Sequence, residues 1–106
     1  MMWHQVAALE DLWSGEMRAI DVEGGPVVLI NVEGAVQAYA DRCAHQRAPL
    51  SQGRLAGRVL TCAAHEWQYD AVTGLGLNPC GVALTAFAVE IRNGAIWIDV
   101  AAVAIR

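Results

Sequence analysis

The stretch Cys43-Ala44-His45 is followed, after sixteen residues, by Cys62-Ala63-Ala64-His65. Each Cys–His pair is short enough to lie on one tight loop, so two neighbouring loops can bring two thiols and two imidazoles to one metal centre. Four such ligands make a complete coordination set. The pattern uses four of the six Cys and His residues in the chain, which has three of each.

The distribution of Cys and His between the two loops indicates which metal centre such a site could hold. Structural zinc sites commonly pair like with like, with two Cys on one knuckle and two His on a helix. Here each loop carries one Cys and one His. That arrangement suits a [2Fe–2S] centre in which two Cys bind one iron and two His bind the other. The spacing therefore favours an iron–sulfur cluster, and a zinc-stabilised binding module is the alternative.

At these four positions the chain resembles the Rieske iron–sulfur proteins, whose loops carry C-x-H and then C-x-x-H at a similar separation. The resemblance implies one Rieske-type [2Fe–2S] cluster, bound by Cys43 and Cys62 as thiolates and by His45 and His65 through ring nitrogens. It also implies the Rieske fold, an antiparallel β-sandwich or barrel base with a small cluster-binding subdomain over about residues 43–69.

Length and composition predict a single domain over residues 1–106. The chain is 56% hydrophobic and 17% charged, which is typical of a packed globule. A net charge of −4 with no basic stripe argues against a nucleic-acid partner. No apolar run is long enough to span a membrane, and the first residues lack the features of a signal peptide. We therefore expect a cytoplasmic monomer that does not bind membranes.

Short apolar runs between turn residues predict an all-β fold. Asn93-Gly94 between two alternating runs is the strongest hairpin signal. We expect a helical turn near residues 9–13, and residues 101–106 as a final helical turn or a frayed end. The predicted strands cover residues 3–6, 17–22, 27–30, 35–39, 58–61, 67–69, 87–92 and 95–100.

Four residues near or outside the motif have weaker predicted roles. Cys80 lies where the related proteins have a proline-bearing loop over the cluster, but an ordinary free thiol is the favoured interpretation. Trp67 is expected to pack rather than to guide electrons, and His4 to be a surface imidazole. High-potential relatives carry a hydroxyl donor just after the second His, and no obvious one is present here. This predicts a potential near the low end of the Rieske range, about −150 mV, with Tyr69 leaving the point open.

The residues that remain after the cluster ligands exclude two functions. A Rieske oxygenase needs a second iron held by two His and a carboxylate, and only His4 is left. No glycine-rich dinucleotide motif is present, so the chain is not expected to take hydride from NADH. A one-electron carrier, and not an enzyme, is the function that remains.

Three further stretches, 13–17, 65–67 and 74–79, are similar to those of the Rieske ferredoxin of the toluene monooxygenases. They read Trp-Ser-Gly-Glu-Met, His-Glu-Trp and Gly-Leu-Gly-Leu-Asn-Pro. The resemblance implies two partners, an NADH-dependent flavin and iron–sulfur reductase and the di-iron hydroxylase of an aromatic monooxygenase. The alternative is the ferredoxin of a ring-hydroxylating dioxygenase of the biphenyl or benzene type. The sequence does not identify the oxygenase substrate.

Overall fold

The computed structural model describes residues 3–22, 25–43, 48–64 and 66–104. These residues form ten β-strands in two antiparallel sheets. Within those residues the only helical segments are two three-residue 3-10 turns, Leu9–Asp11 and Leu50–Gln52. The prediction of an all-β fold is confirmed. The strands are β1 Trp3–Ala8, β2 Met17–Val22, β3 Gly25–Val32, β4 Ala35–Ala40, β5 Arg54–Ala56, β6 Val59–Thr61, β7 Gln68–Asp70, β8 Gly76–Asn78, β9 Ala86–Arg92 and β10 Ala95–Ala104.

The larger sheet has six strands in the order β1-β10-β9-β4-β3-β2, and it curls until its two edge strands approach each other. It is therefore a nearly closed barrel. The smaller sheet has the order β5-β6-β7-β8 and lies between β4 and β9 in the chain. The predicted boundaries remain predictions, both for the cluster-binding subdomain over residues 43–69 and for the single domain over residues 1–106. The smaller sheet itself runs from Arg54 to Asn78.

Strand β3 is buried on both faces and lies between the two halves of the molecule. Alternate residues of a strand point to opposite sides, so Val27 and Leu29 enter the barrel interior while Val28 and Ile30 enter a second core. The barrel interior also contains Leu12, Ala38, Ile96 and Ile98. The second core holds Tyr39, Cys43, Leu50, Leu60, Cys62 and Tyr69. The buried strand predicted over residues 27–30 thus joins the barrel to the residues of the metal motif.

Two tight hairpin turns have glycine at their second position. Asn93 and Gly94 have φ of 51° and 76° between β9 and β10, and Glu33 and Gly34 have φ of 51° and 91° between β3 and β4. Two successive positive φ values match the right-handed twist of the flanking strands. The hairpin at Asn93-Gly94 is where the sequence predicts it.

The carboxyl-terminal strand is longer than predicted. After an irregularity beyond Asp99, Val103 pairs with Phe87 and Ala104 with Ala86. The prediction of a helical turn or frayed end is wrong for residues 101–104, because the first residues of β9 offer backbone partners there; residues 105–106 lie outside the described part. Neither helical turn in the described residues is long enough to cross a membrane.

Candidate metal centre

The first motif loop is tied at both ends. The backbone N–H of Cys43 donates to the carbonyl of Ala48 over 2.9 Å. Two residues earlier, the buried carboxylate of Asp41 accepts the N–H of Ser51 at 2.8 Å and its hydroxyl at 2.7 Å. These bonds hold the end of β4 against the 3-10 turn that follows the loop. They fix the position of Cys43, whose side chain is buried.

The second motif loop is a closed turn at the end of β6. The N–H of Cys62 donates to the carbonyl of Trp67 at 2.8 Å, and the N–H of Glu66 donates back to the carbonyl of Cys62 at 3.0 Å. Glu66 has a φ of 57°, in the left-handed region that few non-glycine residues adopt. Trp67 packs against the second core, as predicted. The closed turn places Cys62 in that same core, fully buried.

Asp70 holds the chain just after the second loop. Its carboxylate accepts Nη2 of Arg58 at 2.8 Å and the N–H groups of Val72 and Thr73 at 2.9 and 3.3 Å. Burial raises the pKa of Asp70, but the bonds from Arg58 and the two N–H groups outweigh it, so the pKa lies below its ordinary value. The pKa of Arg58 is raised, chiefly by the same hydrogen bond. Both shifts favour the ion pair.

The 3-10 turn and strand β6 approach each other closely at Gly53. A Cβ added there would collide with the carbonyl oxygen of Thr61, the residue immediately before Cys62. The φ of Gly53 is −83°, which any residue can adopt, so lack of space and not backbone freedom requires the glycine. The second motif loop therefore begins from a position set by direct backbone packing.

Tyr69, the residue that left the question of a hydroxyl donor open, brings its hydroxyl to the first motif loop. Its ring is fully buried, and its oxygen lies 3.1 Å from Sγ of Cys43. The residues just after His65 in sequence are Glu66 and Trp67, which carry no hydroxyl, and the donor is Tyr69 instead. The donor comes from strand β7 of the smaller sheet and reaches the opposite loop. The spacing of the motif does not indicate that a side chain of the smaller sheet contacts the first motif loop.

The structure describes two of the four predicted ligands. His45 and His65 lie outside the described residues. Cys43 and Cys62 are both unbridged, buried and in one core. Cysteine sulfurs are the ligands that hold iron–sulfur clusters, and Sγ of Cys43 also lies within hydrogen-bond distance of a hydroxyl. The cysteine half of the donor set thus fits the implied [2Fe–2S] group, and the four-residue ligand set remains a prediction.

Cys80 and His4 lie outside this core. Cys80 is free and exposed, as predicted, with Sγ 3.5 Å from the carbonyl of Leu77. His4 pairs with Ile98, and directly paired residues share a face of the sheet, so its imidazole points toward the barrel interior. Its Nε2 is buried and has no hydrogen-bond partner among the described residues. The prediction of a surface imidazole is wrong for this nitrogen.

The fold, the two tied loops and the buried cysteines are those of an iron–sulfur electron carrier, and comparison with known proteins gives the same class. The family model of the Rieske [2Fe-2S] domain matches residues 2–88. The chain belongs to this family, and membership implies a Rieske-type [2Fe–2S] cluster.

Two individual relatives have names that specify an oxygenase system. The chain is 42% identical over 94 residues to the ferredoxin component of the alkene monooxygenase system of Xanthobacter autotrophicus, covering 88% of this chain and 77% of the relative. It is 34% identical over 98 residues to the naphthalene 1,2-dioxygenase ferredoxin of Pseudomonas putida, covering 92% and 94%.

A solved structure supports the fold directly. A chain of the complex of reduced oxygenase and oxidized ferredoxin in carbazole 1,9a-dioxygenase matches with a TM-score of 0.85 and 32% identity, covering 92% of each chain. The predicted Rieske fold is therefore confirmed. The curated relatives described above are named as ferredoxin components, which are electron-transfer subunits and not catalysts.

Proposed function

We propose that this protein carries single electrons from an NADH-dependent reductase to the oxygenase component of a hydrocarbon monooxygenase. The observation that carries the proposal is the 42% identity, over 88% of the chain, with a protein named as the ferredoxin component of an alkene monooxygenase system. The buried, unbridged cysteines of the two loops support it. The proposal implies a cytoplasmic protein, and we propose that it works as a monomer.

In this proposal Cys43 and Cys62 bind iron as thiolates, and His45 and His65 bind through neutral ring nitrogens. When bound, a Rieske-type cluster takes up and returns one electron. Because two imidazoles replace two thiolates, the four side chains bring two fewer negative charges than an all-cysteine set. Addition of an electron is then electrostatically easier.

Tyr69 also affects how readily the cluster would accept an electron. A metal-bound thiolate has no proton to donate, so the hydroxyl donates to Sγ of Cys43 across the 3.1 Å contact. A hydrogen bond to the ligand sulfur favours the more negative, reduced state and raises the potential. Tyr69 left the expected potential of about −150 mV open, and its contact with Cys43 supports our proposal of a value above that low end.

The second candidate function is the ferredoxin of a ring-hydroxylating dioxygenase. It is favoured by the naphthalene dioxygenase relative, which is matched over 92% of this chain. Both functions use the same fold and the same kind of cluster. The difference lies in the oxygenase that accepts the electron, because substrate choice belongs to that partner.

The test begins with the purified protein reduced by dithionite. We expect red-brown colour and a rhombic EPR signal with an average g below that of the free electron. A colourless protein holding stoichiometric zinc and giving no signal would instead support the binding module. The reduced protein is then mixed with a monooxygenase or a dioxygenase component, together with a reductase and NADH. Substrate-dependent NADH oxidation with the monooxygenase alone supports the proposal, and turnover with the dioxygenase alone supports the second candidate.

A variant of one predicted ligand tests the role of the site. His65→Cys adds a thiolate charge, so a cluster should still form, with a lower potential and without coupled turnover. Potentiometry followed by EPR, combined with NADH and product measurements, checks this outcome. Unchanged turnover would contradict the assignment of His65.

A further inference from the structure

An exposed ion pair connects strand β5 to the second motif loop. Nη2 of Arg54 lies 3.5 Å from Oε1 of Glu66, and the two side chains are 68% and 73% exposed. Arg54 is paired with Thr61, which precedes Cys62, and Glu66 directly follows His65. One member of the pair is thus in register with the residue before Cys62, and the other follows His65 in sequence.

The contribution of this ion pair to folding is small. Exposed pairs gain little energy because water screens both charges, and 3.5 Å is longer than a charge-assisted hydrogen bond. The pair between Arg58 and Asp70 is different, because it closes at 2.8 Å and the Asp70 side chain is only 18% exposed. Arg54 and Glu66 can thus exchange partners at little cost to stability.

The backbone at Glu66 does not explain the presence of a charged side chain. Its φ of 57° lies in a region that glycine adopts at lower cost. The hydrogen bond that closes the turn uses the N–H of this residue, not its carboxylate. The carboxylate therefore faces solvent at the edge of the loop without a structural requirement for it in the turn.

We propose that Arg54 and Glu66 form a docking pair that opens when the oxygenase component binds. Arg54 then contacts a carboxylate of the oxygenase, and Glu66 contacts one of its cations. The inference rests on the proposed function. The oxygenase is the favoured occupant because a chain similar to this one, with a TM-score of 0.85, comes from a complex of an oxygenase with a ferredoxin. Charges at the rim of an interface chiefly control the association rate and its salt dependence.

Exchanging the two charges separates docking from folding. In the double variant Arg54→Glu with Glu66→Arg, the ion pair within the ferredoxin is restored in reverse, and the net charge is unchanged. We expect the wild-type melting temperature and visible spectrum. The second-order rate of electron transfer to the oxygenase, measured by stopped flow at low salt, should fall about tenfold. The deficit should shrink as salt screens the mismatched charges.

A second exchange serves as the control. Glu90 and Arg92 form another exposed pair, at 2.9 Å, on the part of β9 far from Ala86 and the motif loops. The variant Glu90→Arg with Arg92→Glu also preserves net charge, and it should leave the transfer rate unchanged. An equal fall in both double variants would overturn the docking pair in favour of a general charge effect.

The remaining outcomes distinguish this inference from the proposed function. Wild-type rates in the Arg54 and Glu66 exchange would overturn the docking pair alone, because the charges would then act only within the ferredoxin. Slower reduction by the reductase with normal transfer to the oxygenase would also overturn it, in favour of a reductase site. Failure of the wild-type protein to transfer electrons to any oxygenase would overturn both proposals.

Discussion

Replacing Tyr69 by Phe removes one hydroxyl and preserves the ring that fills the second core. Tyr69 is fully buried and Cys43 is 5% exposed, so water has little access to replace the lost donor. The 3.1 Å contact is the interaction that disappears. We expect the cluster to remain bound and its potential to fall, because the reduced state loses more stabilisation than the oxidised state.

The size of the fall follows from the strength of the bond. A hydrogen bond to a charged acceptor contributes about 1.5–3 kcal/mol. If about half of that differs between the two redox states, the reduced state loses roughly 0.8–1.5 kcal/mol. For a one-electron couple a tenfold change in equilibrium constant is 59 mV, so the potential of Tyr69→Phe should be about 30–65 mV lower than that of the wild type.

The assay is a redox titration followed by EPR or visible circular dichroism at fixed pH. Tyr39→Phe is the matched control, because Tyr39 is also fully buried in the second core and donates to the carbonyl of Ala71 at 2.7 Å. Its potential should change much less. An unchanged potential in Tyr69→Phe with an intact cluster, or an equal fall in Tyr39→Phe, would refute the reasoning.

Three further variants test the surrounding structure. Gly53→Ala should destabilise the protein by about 2 kcal/mol in chemical denaturation, because its Cβ meets the carbonyl of Thr61; a stability equal to the wild type would contradict the close packing. The lowered pKa of Asp70 means that its pairing with Arg58 stabilises the fold above the ordinary carboxyl range and is lost as pH falls through the lowered value. Asp70→Asn should therefore melt at a lower temperature than wild type at neutral pH, with the deficit disappearing in acid, and a deficit independent of pH would refute this. Cys80→Ser should leave the EPR spectrum and the potential unchanged, since this thiol is exposed.

Much of the fold could be predicted because local signals and the final pairing agree. A tight hairpin turn requires two successive positive φ values, and Asn93-Gly94 is a dipeptide that adopts them readily. The apolar run at residues 27–30 predicts burial, and both faces of β3 are buried. The end of β10 was not predictable, because the run 101–104 has no alternation of its own and is a strand through pairing with β9. Tertiary pairing there outweighs local preference.

The candidate site was predictable to the extent that it depends on spacing. Cys43 and Cys62 are recognisable because each stands at a short fixed distance from a His. Tyr69 was named as a residue that left the hydroxyl question open, but its contact with Cys43 was not predictable because it approaches from a strand 26 residues away in sequence. The inward position of His4 was missed for a similar reason, since the register of β1 on β10 determines its face. Contacts between distant segments leave no local pattern.

The burial of β3 on both faces makes the molecule hard to divide. Val28, Ile30 and Val32 contact the half that contains Cys43 and Cys62, and Val27 and Leu29 contact the barrel. Opening either half exposes one side of the same strand, so the two halves should open together in hydrogen exchange, with β3 amides among the slowest. An engineer who transplants the metal-binding half into another scaffold must therefore bring a strand with the same two-sided apolar pattern.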